Sequence, residues 1–191
     1  MKWKLQGKLL LNMQKIPRFF VVPGLGNSGP DHWQTHLERS NPDFTRVNQR
    51  EWDAPNRREW VETLNHALAG EDLANVVLVA HSLGCASVVH WAAQYGRSIR
   101  GALLVAPSDV ETAHYAAFPT TGFSPMPLQR LPFPSKVVAS CTDEWVSMAR
   151  AQEFAHAWGS ELVDLGDAGH INAASGHGPW PAGLELLRAW R

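Results

Sequence analysis

The feature that most restricts the fold is an unbroken apolar run, Val76-Val77-Leu78-Val79-Ala80. A strand with one wet face alternates apolar and polar residues, so a β-branched run like this belongs to a strand covered on both faces. Similar short runs recur at Arg18–Val22 and at residues 45–48, 102–106, 137–140 and 162–165. Amphipathic segments lie between them, at residues 31–39, 57–69, 83–95, 146–157 and 180–190. In the fourth, Met148, Phe154, Ala155 and Trp158 fall on one stripe suited to burial. Strands alternating with helices at this spacing imply right-handed crossovers and an α/β, doubly wound, mostly parallel six-stranded sheet. One interval, residues 108–134, breaks the alternation with five prolines. It reads as a loop excursion with room for a single short helix.

A chain of 191 residues fits one domain, expected over residues 16–191, and buries enough core to fold without metal or disulfide. Residues 1–15 read as a loosely ordered extension, with Met13 a candidate natural start. The run Leu9-Leu10-Leu11 is too short for a secretory signal, and no stretch is long enough to span a membrane. Lys and Arg number 17 against 18 Asp and Glu, which gives no electrostatic reason to expect nucleic acid or an anionic membrane as partner. Cys85 and Cys141 have no paired spacing and read as reduced thiols of a cytoplasmic protein.

Chemistry enters where the central run continues as His81-Ser82-Leu83-Gly84 and then turns helical. A serine between a buried strand and a helix, with small residues two before and two after, describes a nucleophile elbow. Alanine stands here where that motif usually has its first glycine. The plainer alternative is an ordinary helix N-cap at Ser82. A nucleophilic serine needs a base, and the base an orienting acid, in the chain order serine, acid, histidine. Asp143 follows the run at 137–140, and His170 follows the last strand run on a glycine-flanked loop. Glu144 is the weaker acid candidate, and Asp167 lies too close in sequence to turn back onto His170.

The first strand leads into Pro23-Gly24-Leu25-Gly26-Asn27-Ser28-Gly29, which supports two readings. The glycines match the dinucleotide fingerprint, yet that site wants an acid ending the second strand about 20 residues on, and the chain offers Asn48-Gln49-Arg50 instead. They also suit an oxyanion loop, in which the Leu25 N–H joins that of Leu83. His32 and His36 are spaced for a metal on one helix, but the glutamate of the metalloprotease motif and a third ligand are missing. They read as surface histidines beside a packed Trp33. Neither metal nor cofactor is expected.

The segments PGLGNSGPDHWQ (23–34), VLVAHSLGC (77–85), GALLVAP (101–107) and GHINAASGHGPWPAG (169–183) together resemble the small serine hydrolases of the YdeN and retinoblastoma-binding-protein type, within the α/β-hydrolase superfamily. That resemblance implies Ser82 as nucleophile, His170 as base, Asp143 as acid, and a compact fold without a large cap domain. The Thr142-Asp143-Glu144-Trp145 loop departs from the Asp-Pro or Asp-Asp-Pro usual there. The expected function is cleavage of small carboxylic esters, or amides, through an acyl-enzyme. Trp33, Trp145 and Trp180 adjoin the three loops and are expected to wall the acyl pocket, with plain core packing as their alternative. A second class remains open, a binding module on a hydrolase scaffold that recognises a small molecule or a protein with little turnover.

Overall fold

A computed structural model describes residues 16–191; the expected extension at 1–15 and the candidate start at Met13 lie outside the described residues. The elements run β1 (Arg18–Val22), α1 (Trp33–Ser40), β2 (Phe44–Arg46), α2 (Arg57–Ala67), β3 (Val76–His81), α3 (Leu83–Tyr95) and β4 (Gly101–Val105). They continue through β5 (Ser135–Ala139), α4 (Met148–Trp158), β6 (Glu161–Asp164) and α5 (Pro181–Leu186). The six strands form one sheet in the order β2-β1-β3-β4-β5-β6, and every neighbouring pair is parallel. This is the α/β-hydrolase architecture.

Burial explains the unbroken apolar run. All six residues of β3 are buried. Val76, Leu78 and Ala80 face a core that also holds Trp60, Trp91 and Phe154 of α2, α3 and α4. Val77 and Val79 face a second core that holds Trp33, Leu187 and Trp190. Helices therefore cover both faces. In α4 the buried stripe is Ala151, Phe154, Ala155 and Trp158; Met148, at the first helical position, is only partly buried.

Two boundaries differ instructively from expectation. The second strand is shorter and earlier than residues 45–48, ending at Arg46, whose guanidinium is drawn into bonds described below. The last helical segment is not continuous over 180–190. α5 stops at Leu186 and tightens into a 3-10 turn over Leu187–Trp190, which brings Trp190 against Gly101, where an added Cβ would lie 2.1 Å from the indole Nε1.

The excursion between β4 and β5 carries one short 3-10 turn, Tyr115–Ala117. Among the described residues no helix is long and apolar enough to cross a membrane. The chain visits β2 on one side of β1 and then returns to place β3 on the other. At such a switch point the loops leaving neighbouring strands part in opposite directions, opening a crevice at the carboxyl ends. The loops after β1 and β3 border that crevice.

Candidate active site

Ser82 occupies the turn between β3 and α3 with φ 55° and ψ −126°. A non-glycine residue there is strained by roughly 1–3 kcal/mol, which surrounding structure must offset. Its hydroxyl makes no capping bond to the helix, so Ser82 holds the N-cap position without doing the work of an N-cap. The turn is tight enough to exclude a side chain at Gly84, where a Cβ would come 2.2 Å from the Val22 carbonyl oxygen. From the other side Gly24 closes on the serine, since a Cβ there would meet that of Ser82 at 2.7 Å and the Leu83 nitrogen at 3.2 Å. Gly84 is needed because backbone passes against backbone, and Gly24 because the serine's own β-carbon fills the space.

The Ser82 hydroxyl points at His170, with Oγ 2.9 Å from Nε2. On the opposite side of the ring, His170 Nδ1 lies 2.9 Å from each carboxylate oxygen of Asp143. The Asp143 side chain is fully buried and accepts a second bond, 2.8 Å, from the Trp145 N–H. A carboxylate held this way keeps a proton on Nδ1 and leaves Nε2 free to accept from the serine. Glu144 and Asp167 are both exposed at the surface.

The two loops that deliver this pair are laced together by hydroxyls. Ser140 accepts from the Ala168 N–H at 2.9 Å and donates to the Gly166 carbonyl at 3.0 Å. Thr142 accepts from the Gly169 N–H at 3.0 Å. The His170 loop is pinned from beneath as well: the His81 Nε2–H donates to the His170 carbonyl at 2.9 Å. Trp33 Nε1–H donates to the Ile171 carbonyl at 2.9 Å. Ile171 itself has φ 48°, costly for a β-branched residue, and it is fully buried.

On the other flank the loop after β1 is fixed by Gln34, whose amide donates to the Val22 and Val79 carbonyls and whose oxygen accepts from Ser28. Arg46 binds Asn27 Oδ1, the Ser28 carbonyl, Thr35 and Glu38. β2 thus presents a guanidinium where a dinucleotide site would need a carboxylate. The N–H groups of Leu25 and Leu83 take part in no hydrogen bond among the described residues. Two unengaged amides beside a serine hydroxyl are donors of the kind an oxyanion needs.

These loops surround a cavity of about 210 Å³. Its polar end carries Ser82, His170, His32 and Asn172, and its apolar wall Leu25, Tyr115, Phe118 and Trp145. Trp145 packs on Phe118 with ring centroids 5.2 Å apart. The other two tryptophans expected in the wall are elsewhere. Trp33 is buried in the second core and meets Trp180 edge-on at 5.2 Å, so their positions next to the Ser82 and His170 loops reflect anchoring rather than pocket lining.

Four lining residues carried no readable signal. Ser108, Tyr115 and Phe118 come from the aperiodic excursion, and His32 reads as a surface residue by its polar neighbours. In fact His32 is 6% exposed and caps α1 through Nδ1. Burial, with Arg46, His170 and His177 adding positive charge nearby, lowers its pKa from 6.5 to about 4. Burial likewise holds His81 well below its ordinary value. Folding therefore keeps both rings neutral, while the unfolded chain takes up protons below pH 6.5. Stability from this source is present above pH 6.5 and is lost as pH falls towards 4. The expected loss for His32 is about 3 kcal/mol over that interval. Urea unfolding of wild type and His32→Asn at pH 7 and pH 4.5 measures it; the variant keeps a capping acceptor and should lose less between the two pH values.

A family model described as serine hydrolase matches residues 19–189. The chain belongs to the serine hydrolase family. A putative YdeN-like hydrolase from Pectobacterium atrosepticum is 36% identical, with a TM-score of 0.81 over 92% of this chain and 90% of that one. The ydeN gene product of Bacillus subtilis is 17% identical with TM-score 0.69, over 91% and 98% of the two chains. Carboxylesterase CesB from Bacillus subtilis is 14% identical with TM-score 0.64, over 91% and 83%. At such identities the last two show a common fold alone. Among curated proteins the chain has no match. The chain is a small serine hydrolase of the α/β-hydrolase superfamily.

Proposed function

We propose that this hydrolase cleaves small, uncharged carboxylic esters through an acyl-enzyme on Ser82. The observation that carries the reading is the continuous line of bonds from Asp143 through His170 to Ser82. Attack on the ester carbonyl carbon by Ser82 Oγ passes the serine proton to His170 Nε2. The carbonyl oxygen becomes an oxyanion facing the Leu25 and Leu83 N–H groups, and two such donors supply several kcal/mol of transition-state stabilisation. Collapse expels the alkoxide, which takes the proton from Nε2 and leaves the acyl group on Ser82. Water then repeats the sequence and releases the acid. Asp143 holds the ring's tautomer and stabilises the imidazolium that forms twice per cycle.

Substrate size and charge follow from the cavity. At about 210 Å³, with Tyr115, Phe118 and Trp145 as its apolar wall, it accommodates a short acyl group. No Lys, Arg, Asp or Glu lines it, so an anionic acyl chain would lose hydration without a charged side chain in contact. Turnover of p-nitrophenyl esters tests the proposal. Acetate and butyrate should be hydrolysed, dodecanoate at least about tenfold less efficiently in kcat/KM, a discrimination within the usual range for apolar pockets. No turnover of any ester would favour a site that binds without catalysis.

A further inference from the structure

Ser82 Oγ has a second neighbour that the acyl-transfer cycle has not used: the hydroxyl of Ser108, 2.8 Å away. Counting protons fixes the direction of that bond. His170 Nδ1 faces both oxygens of Asp143, so it carries the hydrogen of the neutral ring, and Nε2 is an acceptor. The single hydrogen of Ser82 is committed to Nε2. Ser82 therefore has none to give Ser108, and Ser108 must be the donor.

The chain holds Ser108 there firmly. It is fully buried at 0% exposure and lines the reaction cavity. Ala106, at φ 48°, bends the backbone as it leaves β4. That bend is fastened by the Ala106 N–H bond to the Val138 carbonyl, and Asp109 N–H bonds the Trp145 carbonyl just beyond. A strained residue held by bonds on both sides of a buried hydroxyl is the arrangement expected of a site that must present one donor accurately.

We propose that Ser108 is a further catalytic residue, donating its O–H to Ser82 Oγ and assisting the departure of that oxygen in deacylation. The inference rests on the reading of Ser82 as nucleophile. In deacylation a water oxygen attacks the acyl carbon and its proton passes to His170 Nε2. The tetrahedral intermediate then breaks its bond to Ser82 Oγ. The electron pair stays on Oγ, and the Nε2 proton follows to regenerate the serine hydroxyl and free the carboxylic acid. Ser108 keeps its own proton throughout; its hydrogen bond strengthens as Oγ gains charge. In acylation the same oxygen loses charge to the new ester bond, and the donor helps far less.

Stopped-flow hydrolysis of p-nitrophenyl acetate by Ser108→Ala separates the two half-reactions. In this variant kcat should fall about tenfold, in keeping with the loss of one hydrogen bond to a charged oxygen. KM should fall with it, leaving kcat/KM within about twofold of wild type. A burst of p-nitrophenolate equal to the enzyme concentration should precede the slow phase, with acetyl-enzyme visible by mass spectrometry of quenched samples. Ser108→Thr, which keeps the hydroxyl, should restore the post-burst rate; should it misfold, fluorophosphonate labelling of Ser108→Ala at the wild-type rate serves to show an intact acylation step. A fall of kcat and kcat/KM together without a burst, or no change in either, overturns the role of Ser108 alone. Full activity in Ser82→Ala overturns both this inference and the hydrolase reading beneath it.

Discussion

Ser82→Ala is expected to lower kcat for p-nitrophenyl acetate by about 10⁴-fold or more, since in the proposed mechanism Ser82 is the nucleophile on which the other members of the site act. The protein should meanwhile stay folded. Alanine keeps the β-carbon that packs at Gly24 and tolerates the φ 55° turn no worse than serine does. What goes is a hydroxyl bonded to His170 and Ser108, and both of those groups face a cavity. The denaturation midpoint should therefore move by no more than about 1 kcal/mol equivalent, as for one neutral hydrogen bond. Strained functional sites commonly give up little stability when simplified. A variant that loses activity by unfolding, read from circular dichroism, would have to be set aside in favour of Ser82→Gly.

Asp143→Asn is expected to cost about 10⁴-fold in kcat with little change in KM, the effect of a reversed tautomer in triads of this kind. The asparagine oxygen can still accept from the Trp145 N–H, as Asp143 Oδ1 does now. That leaves the amide NH₂ facing His170 Nδ1, which must then accept, and the ring proton moves to Nε2. There it opposes the Ser82 hydroxyl, so the base has no lone pair for the proton it must remove. Steady-state kinetics near pH 8 measures the loss. A fall of less than tenfold would mean that Asp143 does not orient the base, a role then open to Glu144 or Asp167 despite their exposure.

How much of this was legible beforehand depended on whether the signal was local. The β3 run, the serine turn and Gly84 are local: burial on two faces dictates the run, and backbone crowding dictates the glycine. That Asp143 and His170 come together beside Ser82 was legible through chain order, because a parallel sheet puts every strand-following loop at one rim. Of the three tryptophans, Trp145 lines the cavity while Trp33 and Trp180 follow the core-packing alternative, for a physical reason. Trp33 and Trp180 adjoin the right loops in sequence, yet their rings turn into the second core, and side-chain direction at a loop–helix junction is set by tertiary packing. Ser108 and His32 carry no signal in the sequence that places them at the cavity. A serine in a proline-broken loop has no periodic pattern, and beside His32 the burial of the polar Gln34 and Thr35 is not readable from their residue types.

The most direct test is to treat the purified protein with an alkyl fluorophosphonate and map the adduct by peptide mass spectrometry. One phosphonylated peptide is expected, carrying the mass on Ser82, absent from Ser82→Ala and formed far more slowly in His170→Ala. An adduct on any other residue, or undiminished labelling of Ser82→Ala, would contradict it.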